Sequence, residues 1–164
     1  MNLSKNFSKA ELCKSQTAIR MGLNNNPTDD QTENLRLLCE RVLQPVRDHF
    51  NQVVSISSGF RDPILSQKIG SSTKSQHCKG EAADLEIFGV ANNELADWIK
   101  ENLMFDQLIL EYHTPGEPNS GWVHVSYTKE INSNRKEYLM ATKNATGKTE
   151  YKQILGLSTD RYVK

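Results

Sequence analysis

The longest run of helical periodicity lies between residues 28 and 46, where Leu35, Leu38, Cys39, Val42, Leu43 and Val46 recur at steps of three and four. That spacing gathers them on one face of a helix, and the face must pack inward. Ahead of it, Thr28-Asp29-Asp30-Gln31 forms a capping box, with two carboxylates where the helix terminus is partly positive. Pro45 interrupts the pattern. It lacks an N–H and crowds the carbonyl four residues back, which predicts a kink or an end there. A shorter helix is predicted over 11–21, followed by a loop over 22–27.

Alternation takes over further on. Val53-Val54-Ser55-Ile56-Ser57 reads as a strand leading into Ser58-Gly59-Phe60-Arg61-Asp62-Pro63, and Pro63 is placed to open a helix reaching Ile69. Residues 70–75 are too polar to be core. A strand over 81–87 puts Ala82, Asp84 and Glu86 on one face and Ala83, Leu85 and Ile87 on the other. Asn92 and Asn93 are expected to cap a helix through Leu103 with Leu95, Trp98 and Ile99 as its buried stripe. Strands follow over 107–112 and 122–127, separated by a turn-rich stretch over 114–121, and again over 136–142. Helices first and then strands, with one helix between, predict an α+β fold: a mostly antiparallel sheet with helices on one side, in one domain over 1–164. The stretch 147–164 carries Tyr151, Ile154, Leu155 and Leu157, enough apolar surface to dock on that domain.

With 164 residues, 37% of them hydrophobic, the chain can bury a core without disulfides. Twenty basic and 20 acidic side chains cancel, so no net field draws in nucleic acid or an anionic membrane. Cys13, Cys39 and Cys78 are odd in number and widely spaced, with no CxxC pair for a thiol-only zinc site or a redox couple. The polar start of the chain lacks the apolar stretch of a secretory signal, and no run is long enough to span a bilayer. Synthesis in a reducing cytoplasm without membrane insertion is therefore expected.

The chemistry concentrates in Ser75-Gln76-His77-Cys78-Lys79-Gly80-Glu81-Ala82-Ala83-Asp84, an H-x-x-G-x-A-x-D pattern. His77 precedes the strand and Asp84 lies within it, so nitrogen and oxygen converge on a cation if the chain turns at Gly80, where positive φ is tolerated. Ala82 shares the face of Asp84 and leaves room for an ion. A catalytic zinc takes three protein ligands and keeps one position open. The third candidate is His124, which alternation places with Trp122 and Ser126 on the face opposite Val123 and Val125. Singly, each of the three reads as an ordinary loop or strand residue; their joint spacing argues for a metal site.

In Ser57-Ser58-Gly59-Phe60-Arg61, in Ser75-x-His77-x-x-Gly80-x-Ala82-x-Asp84 and in Trp122-Val123-His124-Val125-Ser126, the chain resembles the zinc D-alanyl-D-alanine carboxypeptidase family. That family includes cell-wall carboxypeptidases and dipeptidases and phage L-alanyl-D-glutamate endopeptidases, with the hedgehog signalling domain as a structural relative. The resemblance spans roughly residues 6–127, and its opening stretch is similar to a small-peptidase branch found in bacteria and phages. It implies that His77, Asp84 and His124 bind Zn2+ and that Arg61 lines the cleft, where its guanidinium could hold a carboxylate or a developing oxyanion. The implied substrate is the stem peptide of peptidoglycan, with an endopeptidase favoured over a D-Ala-D-Ala carboxypeptidase. The protein is expected to act as a monomer and to reach the wall after lysis or release, in a phage or prophage setting.

Many members of that family carry an acidic residue three positions before the last histidine, where this chain has Gly121. Glu111 is the candidate general base instead, since it ends the preceding strand, as a glutamate does in the hedgehog-like pattern. An exposed strand-end carboxylate is its bland alternative, and Glu81, Glu86 and Glu117 are weaker rivals. Ser75 is expected to hydrogen-bond the motif backbone or a ligand. His113 reads as a loop residue, Cys78 as structural, and His49 as a helix-end cation. The rival from another class is a non-catalytic zinc domain that binds a peptide or partner, for which Gly121 is the best argument.

Overall fold

The computed structural model describes residues 1–158. The chain opens with a hairpin, β1 (Asn2–Ser4) against β2 (Phe7–Ser8), then two short helices, α1 (Lys9–Leu12) and α2 (Gln16–Met21). The single helix predicted over 11–21 is thus divided. Ser8 and Ser15 each accept the backbone N–H three residues on, from Glu11 and Ala18, both at 3.1 Å. Two serine caps in close succession start two helices, because each hydroxyl competes with the backbone for a helical N–H.

The predicted long helix forms. Thr28 caps α3 (Asp29–Leu38): its hydroxyl accepts from the Gln31 N–H and its own N–H donates to Gln31 Oε1. Leu35, Leu38, Cys39, Val42, Leu43 and Val46 are all fully buried. Pro45 does not end the helix. Cys39–Leu43 widens into one π turn, in which the Gln44 N–H bonds back to the Cys39 carbonyl, and α4 (Gln44–Phe50) resumes. The backbone stays helical through Leu43 and Gln44, and the wider turn just ahead accommodates Pro45, which has no N–H to contribute.

Next come β3 (Val54–Ser58), α5 (Pro63–Lys68), a 3₁₀ turn (Gln76–Lys79), β4 (Ala82–Ile87) and α6 (Asn92–Asn102). Asn92 and Asn93 do not cap α6: Ala91 holds that position, without a side-chain bond. The Asn92 amide donates instead to Glu86 Oε1 and to the carbonyls of Ser120 and Gly121, at 3.1–3.2 Å. It ties the helix start to the loop ahead of His124. The sheet is completed by β5 (Gln107–Glu111), β6 (Trp122–Ser126), β7 (Glu137–Lys143) and β8 (Thr149–Gln153).

The six strands lie in the order β3-β4-β6-β5-β7-β8. Every neighbouring pair is antiparallel except β5 with β7. The parallel pair arises because the chain returns from the end of β6 to the start of β5. There the Asp106 carboxylate accepts from Arg135 Nε, Nη2 and N at 2.9–3.1 Å and fixes the crossing. This is the expected α+β architecture with a mostly antiparallel sheet.

One sheet face, with Ala83, Leu85, Leu108, Leu110, Val123, Val125 and Tyr138, joins the buried stripes of α3, α4 and α6 in a single core. The other face carries Asp84, Glu111 and His124. The chain after β7 docks less by apolar contact than by hydrogen bonds: Tyr151 and Leu155 are exposed and Ile154 packs partly on the core. The Ser158 N–H and hydroxyl donate to the buried Asp97 carboxylate at 2.7 and 2.9 Å, beside the Tyr138 hydroxyl at 2.8 Å. The rest of the tail, 159–164, lies outside the described residues. Among the described residues no helix is long and apolar enough to cross a membrane.

Candidate metal centre

Asp84 and His124 face each other directly across β4 and β6, so the register alone places their side chains together on the open face. His124 Nδ1 lies 3.0 Å from Asp84 Oδ1. His77 arrives on the 3₁₀ turn. Ser75 starts that turn by accepting the His77 N–H at 3.2 Å, and Gly80 closes it in the left-handed region at φ 75°. A Cβ on Gly80 would stand 2.4 Å from the Gln31 carbonyl oxygen, so a glycine is required on both counts. The turn rests against the start of α3, where Gln31 Nε2 donates to the Cys78 carbonyl at 3.1 Å and Asn34 Nδ2 to the Lys79 carbonyl at 2.9 Å. Gln31 therefore serves the capping box and the ligand turn at once.

The imidazole of His77 is fixed from behind. Its Nδ1 lies 2.8 Å from the Gly59 carbonyl oxygen and donates to it, leaving Nε2 3.5 Å from Asp84 Oδ1. Gly59 is pressed against α1, with the Phe60 N–H on the Leu12 carbonyl at 2.7 Å and no room for a Cβ. His77, Asp84 and His124 are buried, and their donor atoms lie within 4.8 Å of one another. Two imidazole nitrogens and one carboxylate oxygen are a zinc donor set, and bonds of about 2.1 Å place tetrahedral ligands roughly 3.4 Å apart. The residues present fit such an ion, and the Gly59 contact is the outer hydrogen bond that orients a ligating histidine. Burial works to raise the Asp84 carboxyl, but hydrogen bonds to His124 and His77, with their charges, hold it well below the usual carboxylate range. It stands ready as an anion.

The group opens on a cleft of about 430 Å³ lined by Arg61, Ser75, Glu111, Trp122, His124 and Tyr151, among others. Arg61 Nε donates to Ser58 Oγ and Nη1 to Ser71 Oγ, both at 3.2 Å, while Nη2 lies 3.9 Å from Asp84 Oδ2. Glu111 pairs with Trp122 and Ile109 with His124, so the glutamate shares the open face one step along from the histidine. Burial raises its carboxyl above the ordinary value, the nearby His124 lowers it, and Asp84 raises it further.

Of the carboxylates weighed from sequence as general base, Glu111 alone lines this cleft. Glu86 accepts from Asn92, Glu81 lies beside Gln76 and Lys79, and Glu117 is in the exposed loop. His113 is buried in that same loop with Nδ1 3.2 Å from the Ser120 carbonyl. Gly121 sits at φ 68°, and a Cβ there would stand 1.8 Å from the Glu111 carbonyl oxygen. No side chain fits at the position where the resemblance leads one to look for an acid. Tyr151 was not legible as a cleft residue, since the polar Thr149-Glu150-Tyr151-Lys152-Gln153 gives no strand signal of its own.

No individually curated protein matches the chain. A family model described as Peptidase M15 matches residues 5–126, which hold the His-Asp-His group, Arg61 and Glu111. The match covers well over half of the chain, which therefore belongs to the peptidase M15 family, zinc D-alanyl-D-alanine carboxypeptidase-like metallopeptidases.

Proposed function

We propose that the protein hydrolyses peptide bonds within the stem peptides of peptidoglycan, with His77, Asp84 and His124 holding zinc and Glu111 as general base. The observation that carries this reading is the placement of Glu111 on the same open sheet face as the His-Asp-His group, in one cleft. His77 through Nε2, Asp84 through its carboxylate and His124 through Nδ1 would hold the ion. Bound there, zinc supplies a Lewis acid for the scissile carbonyl and acidifies water.

The chain's own residues do the rest. Glu111, whose raised proton affinity brings it nearer neutrality, takes the proton of the attacking water and returns it to the leaving amine. Arg61, held by Ser58 and Ser71, presents fixed N–H donors to oxygen where negative charge develops. Ser75 keeps the His77 turn in place.

Cleavage inside the peptide is supported by the run of the surface past Arg61. A second hollow of about 470 Å³, lined by Lys14, Ser15, Thr17, Ile56 and Leu65, also has Arg61 in its wall and offers surface on which a peptide longer than one residue could continue. Likeness of the opening stretch to a bacterial and phage branch supports action on the wall after lysis or release. The alternative, a non-catalytic zinc domain whose best argument is Gly121, is disfavoured by the carboxylate that Glu111 brings to the cleft in place of an acid at that position.

The test is mass spectrometry of fragments released from purified peptidoglycan. New amino termini within the stem are expected. Loss of terminal D-alanine alone would make the enzyme a carboxypeptidase, and intact wall would contradict the proposal.

A further inference from the structure

Tyr151 lies beyond the stretch matched by the family model, yet it lines the same cleft as Arg61, Glu111 and His124. Its place follows from register. Trp122 pairs with Glu111, Glu111 with Ala141, and Ala141 with Tyr151, so these four residues form one row across β6, β5, β7 and β8 on the open face. Between Glu111 and Tyr151 only the fully buried Ala141 intervenes, and its methyl raises no wall. Strand spacing puts the two backbones about 10 Å apart, a gap a tyrosine ring leaning over an alanine largely closes.

The backbone there is held along one side and at both ends. β8 is paired along β7, the Tyr112 hydroxyl and Thr149 Oγ1 are 2.6 Å apart, and Ser158 is fastened to Asp97. The ring itself is not core, since 56% of the residue is exposed. An ordered strand thus presents a phenol to a cleft without using it for packing. Burial, then the Glu111 carboxylate and Tyr112, keep that phenol protonated above its ordinary value, so it is a donor at neutral pH.

The two ends of the cleft differ. Arg61 stands toward β3, Tyr151 comes from the opposite edge of the sheet, and Glu111 lies between the histidines and Tyr151. The group that protonates the leaving amine is therefore on the Tyr151 side. We infer that Tyr151 contacts the leaving half of the substrate, its hydroxyl donating a hydrogen bond to the carbonyl oxygen of the residue after the scissile bond. This rests on the peptidase reading given above.

Tyr151→Phe removes only the hydroxyl. The zinc-loaded full-length protein is assayed on a stem peptide and on a matched arylamide whose leaving amine carries no carbonyl. The ratio of kcat/KM for peptide over arylamide is expected to fall roughly three- to tenfold, the range of one neutral hydrogen bond. Binding of the leaving-side peptide product, read by calorimetry, is expected to weaken by the same factor. Equal loss on both substrates, or no loss, overturns the inference while leaving the peptidase reading intact. A wild type inert on both substrates overturns both.

Discussion

Replacing Gly121 by alanine tests whether the loop ahead of His124 is built around a missing side chain. Two costs add. Alanine at φ 68° pays the left-handed penalty of about 1–2 kcal/mol. Its Cβ would also stand 1.8 Å from the Glu111 carbonyl oxygen and 2.8 Å from the Tyr112 carbonyl carbon. Both are backbone, so relief requires shifting the end of β5, a strain of about 1–3 kcal/mol. Gly116, in the same loop at φ 86° with nothing within 4 Å of its added Cβ, isolates the first cost. Gly121→Ala should therefore destabilise by about 2–5 kcal/mol and Gly116→Ala by about 1–2 kcal/mol. Urea unfolding followed by circular dichroism measures both, and thermal midpoints should drop by about 2–4 °C per kcal/mol. Equal costs at the two positions would refute the steric account of Gly121.

Glu111→Gln should retain zinc while kcat/KM falls roughly 10²- to 10⁴-fold, checked by elemental analysis beside amine release. A base acts deprotonated, and Glu111 holds its proton above the ordinary glutamate value. Activity should therefore be lost as pH falls through that raised value, and the Gln variant's residual activity should lack this acid limb. Gln31→Ala removes the capping box and the bond to the Cys78 carbonyl together. It should cost about 1–2 kcal/mol in denaturant unfolding and weaken zinc roughly tenfold in chelator competition.

Where the deciding interactions were local, the sequence was readable. The capping box at Thr28, the apolar stripe to Val46 and the helix opened by Pro63 depend on residues a few positions apart, and they form as their patterns require. His77, Asp84 and His124 were legible because a glycine turn and strand alternation each fix one side chain's direction, and the β4–β6 register then joins them. Local signals were also misread or only half read: Ser8 and Ser15 divide a helix, and the irregularity expected at Pro45 takes the form of a π turn rather than an end.

What long-range contact decides was hidden. Glu111 could be picked from sequence as the end of the strand before His124, but that it lines the cleft where Glu81, Glu86 and Glu117 do not follows from register across β5 and β6. The parallel pairing of β7 with β5 depends on Arg135 finding Asp106. β8 has polar residues on both faces and reads as loop until β7 pairs with it, which is why Tyr151 went unseen.

The central claim, that His77, Asp84 and His124 hold the catalytic metal, is tested most directly by zinc content in wild type and in His124→Ala. Both are measured on protein shown folded by circular dichroism, alongside amine release from purified peptidoglycan. Close to one zinc per wild-type chain with amine release is expected, and loss of both in the variant. Zinc retained undiminished by His124→Ala, or a wild type that cleaves peptidoglycan without binding zinc, would contradict it.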